Sequence, residues 1–203
     1  MDGAAWMRRF AELVTADSDR LTRLDAEIGD GDHGTNLARG LNAAVAALPG
    51  SEPGPALVAA GRALISKTGG ASGPLYGGAL RRAGKAFEAA DGADDADALE
   101  AALRAALGSI QELGQAVEGD KTMVDAFAPA VAAYAAERHN GGDLASCARA
   151  AAGAAEKGAQ DTVPLQARKG RASYLGPRSV GHLDPGAAST VLLFRALAET
   201  VAE

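Results

Sequence analysis

Apolar residues recur every three to four positions along most of this chain, and each run stops at a polar break bearing glycine or proline. Over residues 4–14, Trp6, Met7, Phe10 and Leu13 share one face while Arg8, Arg9 and Glu12 take the other, the spacing of an amphipathic helix. Leu21, Leu24 and Ile28 form a stripe over 18–28. A third helix is predicted over 35–48, stopped by Pro49-Gly50, and a fourth over 53–66. After a break at 67–74, another carries Leu75, Leu80 and Phe87. Further helices are predicted over 98–114, over 123–138, from an Asp143 N-cap to Gln160, and over 187–201. Between the last two, QARKGRASYLGPRSVGHLD (166–184) is long, basic and irregular. β-branched clusters and period-two alternation never persist. The pattern predicts an all-α protein, eight or nine helices in one domain over 1–203.

Composition sharpens this picture in three places. Hydrophobic residues make up 47% of the chain but aromatic ones only 4%, so alanine dominates and helices can approach closely. Twenty Lys+Arg against 26 Asp+Glu leave a net charge of −6, which argues against general nucleic-acid binding. One cysteine, Cys147, cannot form an internal disulfide. MDGAAWMRRF lacks the apolar core of a signal peptide, and no apolar run reaches membrane-spanning length. The expectation is a cytoplasmic protein with no membrane and no nucleic-acid partner.

The densest chemistry lies in LDAEIGDGDHGTN, residues 24–36, where Asp25, Asp30 and Asp32 crowd together with Glu27, His33 and Asn36. Carboxylates at this density repel one another unless a cation sits among them. Hard oxygen ligands suit Mg²⁺ or Ca²⁺, and carboxylate-held Mg²⁺ commonly also binds substrate phosphates. The plain alternative is a solvated acidic turn, since Asp, Asn and Gly are common turn residues. Gly29 to Gly34 literally match G-x-G-x-x-G, yet no strand precedes them, and two aspartates there would repel pyrophosphate. An EF-hand loop fails too: its bidentate Glu would fall at Leu41 or Asn36.

Four polar, glycine-bearing breaks lead straight into helices: GDGDHGTN, TGGASGP, GDKTM and LDPGAAST. If successive helices are antiparallel, alternate loops share one end of the bundle. Several helix N-termini then converge, offering unpaired N–H groups and positive dipole ends to an anion. The simpler expectation is four ordinary N-caps, supplied by Thr35, Ser72, Thr122 and Asp184.

Together, LDAEIGDGDHGTN, GGASGPLYG, GDKTMVDA and ARKGRASYLGPRSVGHLDPGAAST resemble, in order and spacing over nearly the whole chain, the nucleotide-binding (DhaL) subunits of dihydroxyacetone kinases. The resemblance implies a barrel of eight antiparallel helices with ADP or ATP and two Mg²⁺ at one end. It assigns the metals to Asp25, Asp30 and Asp32. Nucleotide contacts fall to His33, Thr35, Asn36, Ala71, Ser72, Gly114, Thr122, Met123 and Arg171, and to the Asp184-Pro185-Gly186 turn. It also implies two partners: a phosphohistidine protein that phosphorylates bound ADP, and a subunit holding dihydroxyacetone that receives the phosphoryl group. No covalent catalytic side chain is expected, because phosphoryl transfer asks mainly for positioning and charge stabilisation. His33 is then a nucleotide contact, or else an ordinary loop histidine; His182 is structural or close to phosphate, and His139 faces solvent. Arg168, Lys169, Arg171 and Arg178 could form a closing lid, a solvated loop or a docking patch.

The related fatty-acid kinase domains carry a core nearer P-D-G-D-T-G-T-N, so Gly29 and His33 favour the ketose branch. A length of 203 residues leaves no room for the sugar-binding domain of single-chain kinases. Two alternatives stay open: an ATP-dependent kinase subunit for another short ketose or sugar acid, and a regulatory module that responds to nucleotide state. A homodimer is a further open expectation.

Overall fold

The computed structural model describes residues 1–202, and every regular element among them is helical. The α-helices are α1 (Gly3–Ala16), α2 (Ser18–Ile28), α3 (His33–Ala46), α4 (Pro53–Lys67), α5 (Ser72–Ala89), α6 (Asp95–Gly114), α7 (Val124–His139), α8 (Leu144–Asp161) and α9 (Pro185–Val201). The irregular basic stretch contains a kinked 3₁₀ segment, Arg171–Ser179. None of the described helices is long and apolar enough to cross a membrane.

The helices close on themselves. Each of α3 to α8 packs on its successor, α9 packs on α1, and α1 packs on α3, which makes a ring of eight. The short α2 lies against α3 and α9. The interior is filled by Trp6, Phe10, Leu37, Leu57, Leu64, Tyr76, Leu99, Phe127, Tyr134 and Phe194, all at most 1% exposed. Trp6 also donates its indole N–H to the Leu193 carbonyl oxygen at 3.0 Å, tying α1 to α9. The α1 stripe differs slightly from expectation: Val14 is fully buried, and Leu13 only partly so.

Small residues set the spacing of the ring. At the α4–α5 seam a methyl added to Gly61 would stand 2.5 Å from the Gly77 carbonyl oxygen, and one on Gly77 would stand 2.6 Å from that of Gly61. One turn pair further along, a methyl on Gly84 would meet the Gly54 carbonyl oxygen at 2.6 Å. The two backbones touch along this line, which explains how so few aromatic residues suffice for a core.

Three expectations about helix starts are corrected. Thr122 does not hold the capping position of α7, which falls to Met123, although its hydroxyl accepts from Val124 N at 3.1 Å. Thr35 does not cap α3: that helix begins at His33, with Asp32 at the capping position, and Thr35 donates its hydroxyl back to the Asp32 carbonyl oxygen at 3.0 Å. Ser72 is the first residue of α5 and does not cap it, since Ala71 precedes it. Asp143 and Asp184 cap as expected, accepting from Ser146 N and Ala187 N at 2.7 Å each.

Candidate functional site

The α2–α3, α4–α5 and α6–α7 loops and the 162–184 segment meet at one end of the ring around a cavity of about 310 Å³. Four helices, α3, α5, α7 and α9, therefore start at its wall, with Asp32, Ala71, Met123 and Asp184 at their capping positions. Alternate connections in an antiparallel ring place them there, and the positive helix ends accumulate. The start of α5 carries no side-chain cap, so its first amides remain available to a ligand anion.

Asp25, Asp30 and Asp32 each bring one carboxylate oxygen to within 4.8 Å of the others. Local backbone fixes this arrangement. Asp25, on the last turn of α2, accepts from the backbone N–H of Asp32 (2.9 Å) and of His33 (3.1 Å) with the same oxygen. Its other oxygen stays free for a cation. The chain reverses between them at Gly31, whose φ of 74° favours a residue without Cβ. Asp30 meets the Arg171 guanidinium at 3.1 Å across the mouth of the cavity. Three oxygens of hard, anionic character so close together match the donor set of Mg²⁺.

His33 opens α3 with its ring half-buried, and its Nε2 lies 2.9 Å from the Ser189 hydroxyl. Burial pushes its pKa down, against the opposing pull of Asp25 and Asp32. Tyr76 joins the same cluster: its hydroxyl lies 2.7 Å from that of Ser189 and 3.0 Å from that of Thr190. Burial raises the Tyr76 pKa to about 12, so the phenol stays protonated. Asp184, 8% exposed, has its pKa pushed up to about 7 by burial, with Asp125 and Asp25 adding to the rise and Lys121 and the Ala187 amide opposing it.

Apolar side chains also line the cavity: Ile28, Leu75, Ile110, Ala116, Met123 and Val124. A cavity lined by both charged loops and aliphatic side chains suits an amphipathic ligand, an anion joined to an apolar ring.

Of the residues singled out in the sequence, Asp25, Asp30, Asp32, His33, Ala71, Ser72, Gly114, Thr122, Met123, Arg171, Asp184, Pro185 and Gly186 line this cavity; Thr35 and Asn36 do not. α3 starts two residues early, so Thr35 lies inside it and not at its mouth, and it is exposed. Asn36 is buried and accepts from the Arg39 guanidinium at 2.7 Å. In the basic run, Lys169 and Arg171 reach the cavity, while Arg168 and Arg178 are exposed and lie outside it. His182 pairs with Glu27 at 3.0 Å, and His139 is exposed.

Sequence reasoning passed over several contributors. Asp125 accepts from the Gly119 and Thr122 amides at 2.5 and 2.8 Å, and Thr122 Oγ1 accepts from Val124 N at 3.1 Å. The Thr-x-x-Asp spacing of a capping box was its visible signal. Tyr76, Ser189 and Lys121 carried no such signal. Lys121 is 1% exposed, and burial lowers its pKa, with Asp184 and Asp125 opposing.

Comparison with known proteins places this geometry in context. The DAK2 domain model matches residues 27–199. The chain is 42% identical over 198 residues to "PEP-dependent dihydroxyacetone kinase 1, ADP-binding subunit DhaL" of Listeria innocua, covering 96% of this chain and 93% of that protein. It is 41% identical over 202 residues to L-erythrulose 1-kinase of Mycolicibacterium smegmatis, covering 96% of this chain but only 34% of that one. Among solved structures it resembles the dihydroxyacetone kinase from C. freundii in complex with AMP-PNP and Mg²⁺, at a TM-score of 0.74 and 28% identity, covering 98% of this chain and 33% of that one. The chain thus spans about a third of the single-chain kinases it matches.

Proposed function

This chain belongs to the DAK2 domain family, and from that premise we propose that it is the ADP-binding subunit of a dihydroxyacetone kinase, a phosphotransferase. The observation that carries the reading is the cavity itself: a carboxylate triad, an uncapped helix start and an aliphatic slot meet in a space of about 310 Å³. Asp25, Asp30 and Asp32 would hold two Mg²⁺, which supply charge neutralisation for a di- or triphosphate. The α5 start at Ala71-Ser72 receives phosphate oxygens through backbone N–H groups; in the Asp184-Pro185-Gly186 turn only Gly186 offers one, because Pro185 has no N–H and that of Asp184 goes to Thr162 Oγ1. Arg171 offers a guanidinium fork to phosphate once it leaves Asp30. Leu75, Ile110, Gly114 and Met123 enclose the base, and His33 contributes an uncharged ring beside the phosphates. No side chain need act as nucleophile, because positioning and charge carry most of phosphoryl transfer.

The sugar, in this reading, sits on a partner subunit, and bound ADP is recharged by a phosphohistidine protein in the cytoplasm. Partner docking at the cavity end is supported by exposed apolar residues. Among the described residues, Ile65, Leu113, Val117, Tyr174 and Val180 are the large exposed hydrophobics, and all flank the loops that form the cavity.

A second reading keeps the site and changes donor and acceptor. The identity to the erythrulose kinase matches that to the ADP-binding subunit, which favours testing free ATP and a tetrulose. Purified protein is dialysed extensively and then incubated with the sugar-binding subunit, dihydroxyacetone or erythrulose, and either a phosphohistidine donor or ATP. Retained ADP and dihydroxyacetone phosphate formed only with the phosphohistidine donor support the first reading. Ready nucleotide exchange with ATP-driven turnover supports the second, and sugar phosphate from neither donor contradicts both.

A further inference from the structure

The Lys121 side chain is turned into the protein from a loop, and this is the least expected placement around the site. Its backbone adopts φ 61°, a left-handed conformation rare outside glycine. Lys121 is buried, and among the described residues no carboxylate stands within ion-pair distance of its ammonium. It donates to the carbonyl oxygen of Thr162 at 2.6 Å and to that of His182. These two carbonyls are the two ends of the 162–184 segment, the last turn after α8 and the residue pair before Asp184. The neck between them is closed further by Asp184 N donating to Thr162 Oγ1 at 3.0 Å and Gly181 N donating to Val163 O at 2.8 Å. Lys169, Gly170, Arg171 and Ala172 within the segment and the Asp184-Pro185-Gly186 turn at its end all line the cavity.

We propose that Lys121 is a positioning residue that clasps the neck of the 162–184 segment and thereby sets how long nucleotide stays bound. A buried ammonium has three N–H donors, and two of those of Lys121 go to main-chain carbonyls, acceptors that a metal ion does not draw away as it would a carboxylate. The strained backbone at Lys121 persists because this contact holds it. The same residue leads directly into Thr122 and Met123, so one side chain connects the α6–α7 loop to the segment that covers the ligand. Nearby Asp184 and Asp125, both buried, gain a fixed cation without direct contact.

This inference rests on reading the cavity as a nucleotide site, and its test separates the two. Lys121→Met, Thr162→Val (which removes the hydroxyl accepting from Asp184 N) and Trp6→Phe, away from the cavity, are compared with the unmodified chain. The measurements are ADP·Mg²⁺ dissociation rate, thermal midpoint, and amide hydrogen exchange of ligand-free protein. Lys121→Met should release ADP about tenfold faster or more, the loss of one or two charge-assisted hydrogen bonds. Exchange should accelerate at Gly181 and Asp184 ahead of the ring helices. Thr162→Val should act in the same direction, less than additively with Lys121→Met, and Trp6→Phe should lower the midpoint without changing ADP release. Equal ADP release in Lys121→Met, or exchange that accelerates uniformly over the whole ring, overturns the clasp. Failure of the unmodified chain to bind ADP·Mg²⁺ overturns the nucleotide reading, and the exchange pattern alone then decides the clasp.

Discussion

Asp30→Asn isolates the cation requirement of the site, because it removes one charge from the triad with little change of shape. One oxygen from each aspartate lies within 4.8 Å of the others. At that distance each like-charge pair costs about 1 kcal/mol in water-like surroundings and about 3–4 kcal/mol at an effective dielectric near 20. The Asp30 side chain is 38% exposed, so the lower figure governs. Removing its charge relieves two such pairs and gives up the ion pair with Arg171, 69% exposed and worth at most about 1 kcal/mol. The metal-free variant should therefore melt at the same temperature as the unmodified chain or up to a few degrees higher. With Mg²⁺ and ADP at about a hundred times their dissociation constant, the unmodified protein gains about 2.7 kcal/mol. For a chain of this length that is a rise of roughly 5–11 °C. Scanning calorimetry with and without Mg·ADP should show the variant losing most of that rise. An undiminished rise would refute the argument that the triad works by holding a cation.

Other consequences are readily measured. Gly77→Ala puts a methyl 2.6 Å from the Gly61 carbonyl oxygen; overpacking should outweigh the gain in helix propensity and lower stability by about 1–3 kcal/mol in chemical denaturation, whereas a more stable variant would contradict the backbone contact. Ser189→Ala removes the shared partner of His33 and Tyr76 and should cost about 1–3 kcal/mol, while Ser189→Thr should cost less unless the added methyl clashes, a difference visible in the denaturation midpoint. Asp184 titrates near 7 when folded, against an ordinary value of 3.8. A carboxyl with a raised folded pKa binds more protons folded than unfolded, so its contribution falls as pH rises from about 4 to 7. Subtracting the stability-against-pH curve of Asp184→Asn should expose that falling component; a component that rises over the same window would show the carboxyl to be ionised and stabilising.

Much of this arrangement is legible in the sequence, and for a definite reason. Helix period, glycine and proline punctuation, and short connections together require alternate loops to share one end. That logic alone gathers Asp25, Asp30 and Asp32, Ala71 and Ser72, Thr122, and Asp184 around one cavity. Asp184 was legible as a cap because Asp-Pro at a helix start is a local signal. What escaped depends on rotation and tertiary contact. With α3 starting at His33 and not at Thr35, Thr35 and Asn36 lie within the first turns and not at the helix mouth, where Thr35 is exposed and Asn36 meets Arg39 three residues on. Lys121 stands in a polar loop, where a charged residue is expected to face water. Only the left-handed backbone and the carbonyls of Thr162 and His182 reveal that it faces inward. Tyr76 and Ser189 meet from helices far apart in sequence, and no local pattern announces such a meeting.

The central claim is that this chain carries the nucleotide, and its partner carries the sugar. Protein loaded with γ-labelled ATP and freed of excess nucleotide is mixed with the sugar-binding subunit and dihydroxyacetone, and the label is followed through one turnover. The account predicts that label passes to dihydroxyacetone phosphate in proportion to bound nucleotide, with ADP remaining on this chain. Label that stays on the nucleotide, or that moves to sugar equally well without this chain, would contradict it.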